Sequence, residues 1–387
     1  MQQAWRRVAF LLFVIGWGAN HFGALLLVYR AKLHLDPAAP QLLFGIYALG
    51  LVPGLLLSGP LSDRFGRRAL VLPAAVACFI ASATLGFGGA HFELLLLGRL
   101  LYGIGCGAVM NPGAVWVLEL SQDAIGGSGA RCATIALSSG FGFGPLISGV
   151  LAQWAPHPTQ LPYLVHLATL IAAIAVCAVA PGGRKTDGPR RPLLDVGIDR
   201  TNRRGFLLGV VWMAPFVFAF PVIVFTVMPV MLGPGALGSS PIAYIGLLGA
   251  VTLGAGVLAQ PVTRRFDPTV SARIGLVFGM LGCLLGAFVI SARLPSLLLL
   301  VAPVLGVGYG VCMTSGLRNV EILSKPETRG GMTGLYYVLT YIGFAVPYIL
   351  AQLTKTLDPA STLVGLAVLS ALAAIALRRP SLTRAVR

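Results

Sequence analysis

Residues 59–68 of the chain read Gly59-Pro60-Leu61-Ser62-Asp63-Arg64-Phe65-Gly66-Arg67-Arg68. This stretch separates two apolar segments, 41–58 and 69–90, which contain no charged residue. Each segment has about the length that a helix needs to cross a bilayer, roughly 20 residues. A short basic connector between two such segments predicts two antiparallel membrane helices. The glycines permit a tight turn, and Asp63 can pair with the arginines or lie at a helix N-terminus.

The composition of the whole chain agrees with a membrane protein. Of its 387 residues, 57% are hydrophobic and only 10% are charged, and it contains 49 glycines and 26 prolines. Soluble domains contain about 25% charged residues. Membrane helices tolerate glycine and proline better than soluble helices do. The composition therefore excludes a soluble core, a coiled coil and a disordered chain.

The apolar segments along the chain predict an all-α membrane protein with twelve transmembrane helices. The predicted spans are 8–29, 41–58, 69–90, 94–117, 132–153, 163–181, 206–231, 241–260, 270–291, 296–317, 332–353 and 360–377.

The distribution of charge predicts the orientation. The 28 Lys and Arg residues outnumber the 12 Asp and Glu residues, but they form short clusters between spans, which argues against nucleic-acid binding. With the N-terminus in the cytoplasm, only four basic residues fall in connectors on the far side: Arg30, Lys32, Arg293 and Lys355. The positive-inside rule then predicts cytoplasmic N- and C-termini. We expect a multi-pass protein of the cell membrane, the inner membrane if the source is bacterial.

An internal repeat predicts two halves. Residues 59–65 align with 260–266, and Gly144-Pro145 aligns with Val346-Pro347 at nearly the same offset. Two six-helix halves of parallel orientation are typical of transporters. The predicted domains are an N-terminal bundle, a basic cytoplasmic linker and a C-terminal bundle, over 1–181, 182–205 and 206–387.

The connector at 59–68 resembles the cytoplasmic signature of the major facilitator superfamily, G-x-L-x-D-R-x-G-R-[RK]. The resemblance implies a twelve-helix transporter in which this motif latches the cytoplasmic gate. The matching residues are Gly59, Asp63, Arg64, Gly66, Arg67 and Arg68. The second copy has Arg264 at the position equivalent to Asp63, so only the first latch matches the family pattern.

Arg99 is a charged residue that lies within a predicted span, a few residues from its start. A charge in the membrane costs about 2.5–3.5 kcal/mol and is usually functional, but Arg99 could also snorkel to the surface. The surrounding residues resemble the family's fourth-helix motif, R-x-x-x-G-x-G, which implies a part in proton movement. We therefore name Arg99, His21 and Asp63 as candidates for proton coupling.

The fifth span has a small residue at every fourth position, which predicts a surface for close helix packing. These residues are Cys132, Ala136, Gly140, Gly144, Ser148 and Ala152. The same helix resembles the family's antiporter motif, G-x-x-x-G-P-x-x-G-G, at Gly140, Gly144, Pro145 and Gly149. Ser148 replaces one glycine of that motif. The resemblance implies export of a solute in exchange for protons.

Several polar and aromatic residues are candidates for a substrate cavity: Trp17, Asn20, His21, Tyr102, Trp212, Phe216, Tyr337 and Tyr341. The spacing of Trp17, Asn20 and His21 predicts that they share one face of the first span. Helix–helix hydrogen bonding and aromatic packing are the alternative interpretations. No Asp or Glu lies near the middle of any predicted span. A neutral or anionic lipophilic substrate is therefore favoured.

The sequence as a whole resembles the twelve-helix drug:proton antiporters, which implies alternating access and proton-coupled efflux. An importer or uniporter of a small organic solute is the alternative. A membrane-embedded enzyme is disfavoured because the five histidines lie far apart along the chain, with no H-x-x-x-H motif. We expect no cofactor and no metal. The expected partners are a small-molecule substrate, the proton and the lipid bilayer, and the expected state is a monomer.

Overall fold

A computed structural model describes residues 4–36, 39–121, 129–182, 198, 202–233, 235–324 and 329–378. All regular secondary structure in these residues is helical, and twelve helical segments are long and apolar enough to cross a membrane. We number them α1 to α12: Ala4–Lys32, Gln41–Phe65, Arg67–Phe87, Phe92–Ser121, Arg131–Trp154, Leu161–Ala178, Arg203–Leu232, Pro241–Thr263, Pro268–Ala292, Pro295–Leu323, Gly331–Leu353 and Pro359–Ala376. The predicted all-α fold with twelve spans is confirmed. The cytoplasmic position of the termini stays a prediction.

The chain forms two compact units. One comprises Met1–Leu194 with Ser240–Ala250, and the other comprises Asp195–Ser239 with Val251–Arg387. The first part of α8 therefore belongs to the first unit, although α8 follows the predicted linker. Most of that linker lies outside the described residues, so the predicted domain boundaries at 182–205 stay a prediction.

The connector between α2 and α3 is shorter than the sequence suggested. Helix α2 continues through Phe65, and α3 begins at Arg67, so Gly66 alone separates the two helices. Gly66 has a φ of 94°, a backbone conformation that glycine adopts without steric cost. Gly59 lies within α2, where an added Cβ would come no closer than 3.7 Å to Asn111. The prediction that both glycines form the turn is wrong for Gly59.

Helices α8 and α10 have a 3₁₀ turn at one end, and three other membrane helices change pitch within their length. Helix α1 tightens into a 3₁₀ turn at Phe22–Leu25, directly after His21, and α11 does so at Ile342–Ala345. Helix α7 widens into a π turn at Leu207–Val211. Such departures from regular helix are frequent at functional hinges. The turns in α1 and α7 also lie next to the predicted cavity residues His21 and Trp212.

Candidate functional site

A fully buried guanidinium group lies in the first unit. Arg99 on α4 has no exposed surface, and three aromatic rings surround its Cζ atom. The distances to the ring centres are 4.2 Å for Tyr47, 5.2 Å for Phe22 and 5.5 Å for Phe44. Aromatic faces attract cations at these distances, most strongly when water is excluded. We call these three rings the aromatic cage.

Backbone carbonyls hold the same guanidinium. Arg99 donates from Nε to the oxygen of Leu43 at 3.1 Å and from Nη1 to the oxygen of Ala19 at 3.0 Å. No carboxylate among the described residues forms an ion pair with Arg99. Because the charged group points into the bundle and is tied to α1 and α2, the interpretation that Arg99 snorkels to the surface is wrong.

Close packing of α2 on α4 brings two rings of the aromatic cage, Phe44 and Tyr47, to Arg99, and the third ring, Phe22, comes from α1. A Cβ added to Gly103 would collide with the backbone oxygen of Tyr47, and one added to Gly107 would collide with that of Leu51. Small residues at four-residue spacing let two membrane helices approach to backbone contact. The glycines that follow Arg99 therefore place the α2 rings within reach of its side chain.

His21 and Trp17 form a buried pair on α1. The indole Nε1 of Trp17 donates to Nδ1 of His21 at 3.0 Å, which confirms that the two residues share a face. The backbone oxygen of His21 accepts a hydrogen bond from the Ser148 hydroxyl at 2.7 Å, and the Tyr163 ring lies 4.6 Å from the imidazole, centre to centre. Asn20 is half-buried, and its Nδ2 lies 3.4 Å from the backbone oxygen of Phe141.

A second histidine, which the sequence did not single out, lies beside this pair. His166 on α6 is fully buried, and its ring centre is 5.8 Å from that of His21. Its Nε2 is 3.1 Å from the backbone oxygen of Val14, and its Nδ1 is 2.8 Å from the Ser82 hydroxyl. Because a carbonyl only accepts, Nε2 carries the proton and Ser82 donates to Nδ1. Although His21 and His166 lie far apart along the chain, the fold brings their rings together.

The predicted cavity residue Tyr102 is also within this buried group. Its side chain has no exposed surface, and its hydroxyl donates to the backbone oxygen of Ile15 at 3.0 Å. Its ring centre lies 6.2 Å from that of His166. We call Trp17, His21, Tyr102 and His166 the buried polar cluster.

Helix α5 packs with two faces. On one face, a Cβ added to Gly140 or Gly144 would collide with the backbone oxygens of Phe13 and Trp17 on α1. The predicted ridge of small residues is therefore confirmed as a packing surface at these two glycines. It holds α5 against the helix that carries His21.

The other face of α5 meets the first part of α8. A Cβ added to Gly149 would lie 2.8 Å from the backbone oxygen of Ile242 and 3.1 Å from the Cα of Gly246. A Cβ added to Gly246 would collide with the backbone oxygen of Pro145. Residues of the antiporter motif thus bring the backbones of α5 and α8 into contact. We call it the α5–α8 contact.

The gating motif contains an ion-pair network around Arg67, whose side chain is only 9% exposed. Arg67 donates from Nη1 to Asp63 at 2.5 Å and from Nε to Glu119, at the end of α4, at 3.2 Å. The Ser62 hydroxyl accepts a third hydrogen bond at 2.7 Å. Glu119 and Ser62 were not predicted as members, although Glu119 is the one acid near the end of α4. The other arginines of the motif, Arg64 and Arg68, are exposed.

In the second unit, the predicted aromatic residues have different environments. Tyr341 is 4% exposed and stacks on Phe218 and Phe344, with ring centres 4.7 Å and 5.5 Å away. Trp212 is half exposed. The remaining predicted residues, Phe216 and Tyr337, are partly buried. Their roles in a cavity stay a prediction.

A family model and individual known proteins match this chain. Residues 8–347 match the family model described as Major Facilitator Superfamily. The chain is 28% identical over 168 residues to the human "Solute carrier family 2, facilitated glucose transporter member 11", covering 42% of this chain and 32% of that protein. It is 32% identical over 166 residues to the "Tetracenomycin C resistance and export protein" of Streptomyces glaucescens, covering 40% and 29%. The matches thus span about a third of these relatives' length.

A solved structure supports the fold over the full length. The nucleoside transporter NupG superposes with a TM-score of 0.78 at 15% identity, covering 97% of this chain and 98% of that one. Such a likeness concerns the fold alone. Because the family model matches most of the sequence and the twelve-helix fold agrees with it, the chain belongs to the Major Facilitator Superfamily of membrane transporters.

Proposed function

We propose that this chain is a secondary active transporter that moves a small lipophilic molecule, neutral or anionic, by alternating access and exports it in exchange for protons. Transport of this kind needs ligands that bias two conformations differently, and no covalent chemistry. We further propose that the chain acts as a monomer in the cell membrane. The observation that most supports the proposal is the α5–α8 contact, where the backbones of the two helices meet at Gly149 and Gly246.

A backbone contact of this type suits a gate. Helices that meet through glycines can separate and return without a change of side-chain rotamers, and small residues at an interface permit such an approach. The motif in α5 resembles that of antiporters, and the relative from Streptomyces glaucescens is described as an export protein. Both features favour efflux over uptake.

The substrate class follows from the charges within the spans. Arg99 is a buried cation without an acidic partner among the described residues, and a guanidinium remains protonated in proteins. A cationic substrate would be repelled by this charge, whereas a neutral or anionic one would not. Arg99 itself cannot release a proton, so its part in coupling would be that of a fixed charge.

The geometry of His21 suggests how a proton could be linked to a movement. Its Nδ1 accepts the Trp17 hydrogen bond, so in the neutral ring the proton is on Nε2. A second proton could be accepted only after the indole of Trp17 had moved away. Protonation of His21 would therefore favour a conformation in which Trp17 takes a new position.

A uniporter is the second candidate, and one observation favours it. The described part of the first unit places no carboxylate beside Arg99 with which a proton could be exchanged. The human relative is described as a facilitated transporter. Such a protein would move its solute down the solute's own gradient, regardless of pH.

Proteoliposomes containing the purified chain distinguish these functions. The vesicles would be tested with anionic, neutral and cationic fluorescent dyes of similar size, with and without an imposed pH gradient. We expect flux of the anionic or neutral dyes that is faster with the gradient, accompanied by proton movement reported by an entrapped pH dye. Equal flux with and without the gradient would establish the uniporter, and absence of flux for all dyes would contradict the proposed substrate class.

The variant His21→Asn tests the proton link. Asparagine is polar but cannot bind a proton, so the variant should still transport dye while losing most of the acceleration by the pH gradient. The matched control is Asn20→Ala, which changes the neighbouring polar residue. If His21→Asn responds to the gradient like the unaltered protein, His21 does not couple protons.

A further inference from the structure

A cavity of about 740 Å³ opens in the first unit at the end of α1. Its walls come from that end of α1, from the connector between α5 and α6, and from the first residues of α8. Sites for small molecules have volumes of about 300–1,000 Å³. None of its lining residues belongs to the buried polar cluster, the aromatic cage or the gating motif.

The lining of the cavity changes from charged and polar at the end of α1 to apolar nearer the middle of that helix. Lys32 is the last residue of α1, and the polar lining residues Thr159 and Gln160 come directly before α6 begins at Leu161. The apolar residues Leu27 and Val28 lie deeper within α1, by roughly 6–8 Å at the helical rise of 1.5 Å per residue. The charged and polar lining residues therefore lie towards the end of α1, with Pro158, Pro241 and Ile242 among them, and the α1 lining residues are apolar towards the middle of that helix.

The polar rim is basic. Lys32 is exposed, and its ammonium group donates to the Thr159 hydroxyl at 3.3 Å. His157, also exposed, lies on the same rim, and no Asp or Glu is among the lining residues. Lysine near a membrane surface attracts anionic lipids. The rim thus complements a phosphate group, and the walls below it complement an acyl chain.

We propose that this cavity binds an anionic membrane phospholipid, with its phosphate at Lys32 and an acyl chain along Leu27 and Val28. The site is independent of the proposed substrate and of proton coupling. It would take its ligand from the leaflet at this end of α1.

The position of the cavity implies that a bound lipid affects the conformation of the protein. Ile242 of α8 lines the cavity, and its backbone N–H donates to Oε1 of Gln153 on α5 at 2.9 Å. A lipid in the cavity would touch α1, the α5–α6 connector and α8 together. It would therefore stabilise the conformation in which the α5–α8 contact is formed, because a ligand favours the state that it binds better.

The test uses the full-length protein in nanodiscs of phosphatidylcholine, with or without phosphatidylglycerol. Native mass spectrometry measures bound phosphatidylglycerol, and thermal unfolding measures its effect on stability. We expect bound lipid and a higher unfolding temperature with phosphatidylglycerol. Lys32→Glu should lower the affinity at least fivefold, the factor expected for one basic residue at an anionic surface. Lys32→Arg should retain it.

Arg30→Glu is the matched control, because it makes the same change in charge two residues away without lining the cavity. Equal loss of affinity in both variants would show a general surface effect and overturn the proposed site. Soluble glycerol phosphate, added to phosphatidylcholine nanodiscs, tests the source of the anion. We expect it to leave the unfolding temperature unchanged, and equal stabilisation by glycerol phosphate would overturn the lipid assignment.

Discussion

The Cζ atom of Arg99 lies 4.2 Å from the centre of the Tyr47 ring, so a charge on α4 rests against an aromatic face on α2. Both residues are buried, because Arg99 is 0% exposed and Tyr47 is 2% exposed. A cation–π contact contributes about 2 kcal/mol when it is desolvated. This contact partly offsets the cost of burying a guanidinium without an acidic partner.

The contact predicts that the Tyr47 ring matters more than its hydroxyl. Tyr47→Leu removes the π face and should lower the unfolding temperature by several degrees, because about 1–2 kcal/mol is lost with the cation–π contact and the ring. Tyr47→Phe keeps the face and removes the weak hydrogen bond to the Cys106 Sγ at 3.5 Å, so it should change little. Thermal unfolding in nanodiscs measures both. A larger loss for Phe than for Leu would contradict the aromatic role.

Substitutions of Arg99 itself distinguish a role of its charge in transport from a role in stability. Apolar residues of similar size often replace buried charges without loss of stability. Arg99→Met should therefore fold, with an unfolding temperature close to that of the unaltered protein, but transport should fall at least tenfold. Arg99→Lys, which keeps the charge but loses the fork of donors, should be intermediate. Dye flux in proteoliposomes at matched protein density is the measurement. If dye flux is unchanged in Arg99→Met, the charge of Arg99 is not needed for transport and the side chain only contributes to packing.

The sequence was sufficient to predict the twelve helices, because a bilayer requires a run of apolar residues for each crossing. It also predicted neighbours along one helix, such as Trp17 and His21, because residues four apart share a face. The turn at residue 66 was harder to predict. Gly59 and Gly66 are alike in sequence, and only the structure shows that α2 continues past the first and ends before the second.

The sequence could not predict which side chains of different helices meet. His166 is far from His21 along the chain, yet packing of α6 on α1 brings their rings to 5.8 Å. Glu119 likewise meets Arg67 only because α4 ends beside the start of α3. Hydropathy determines that a helix is buried, but the pairing of side chains depends on helix rotation and depth, which glycine contacts set.

The ion pairs of Arg67 predict graded effects on transport. Asp63→Asn leaves the contact with Glu119, and Glu119→Gln leaves the contact with Asp63, so each should slow dye flux severalfold without unfolding the protein. The double variant removes both partners of a nearly buried cation and should also lower the unfolding temperature, since an uncompensated buried charge is costly. Arg64→Gln, at an exposed arginine of the same motif, is the control and should have the smallest effect. Equal effects of all these variants would contradict the network.

The α5–α8 contact predicts that substitution of one glycine of α5 impairs transport and that substitution of another does not. In Gly149→Ala, the new Cβ would lie 2.8 Å from the Ile242 oxygen and 3.1 Å from the Gly246 Cα, which are backbone atoms that cannot rotate away. The two helices must move apart, so the conformation that they stabilise should become less populated and dye flux should fall severalfold. Gly142→Ala is the matched control, because the nearest atom to its Cβ is 3.9 Å away. Amide hydrogen exchange over residues 241–250 should accelerate in the first variant and not in the second, since loosened packing permits local opening. If both variants exchange and transport like the unaltered protein, the α5–α8 contact is not a gate.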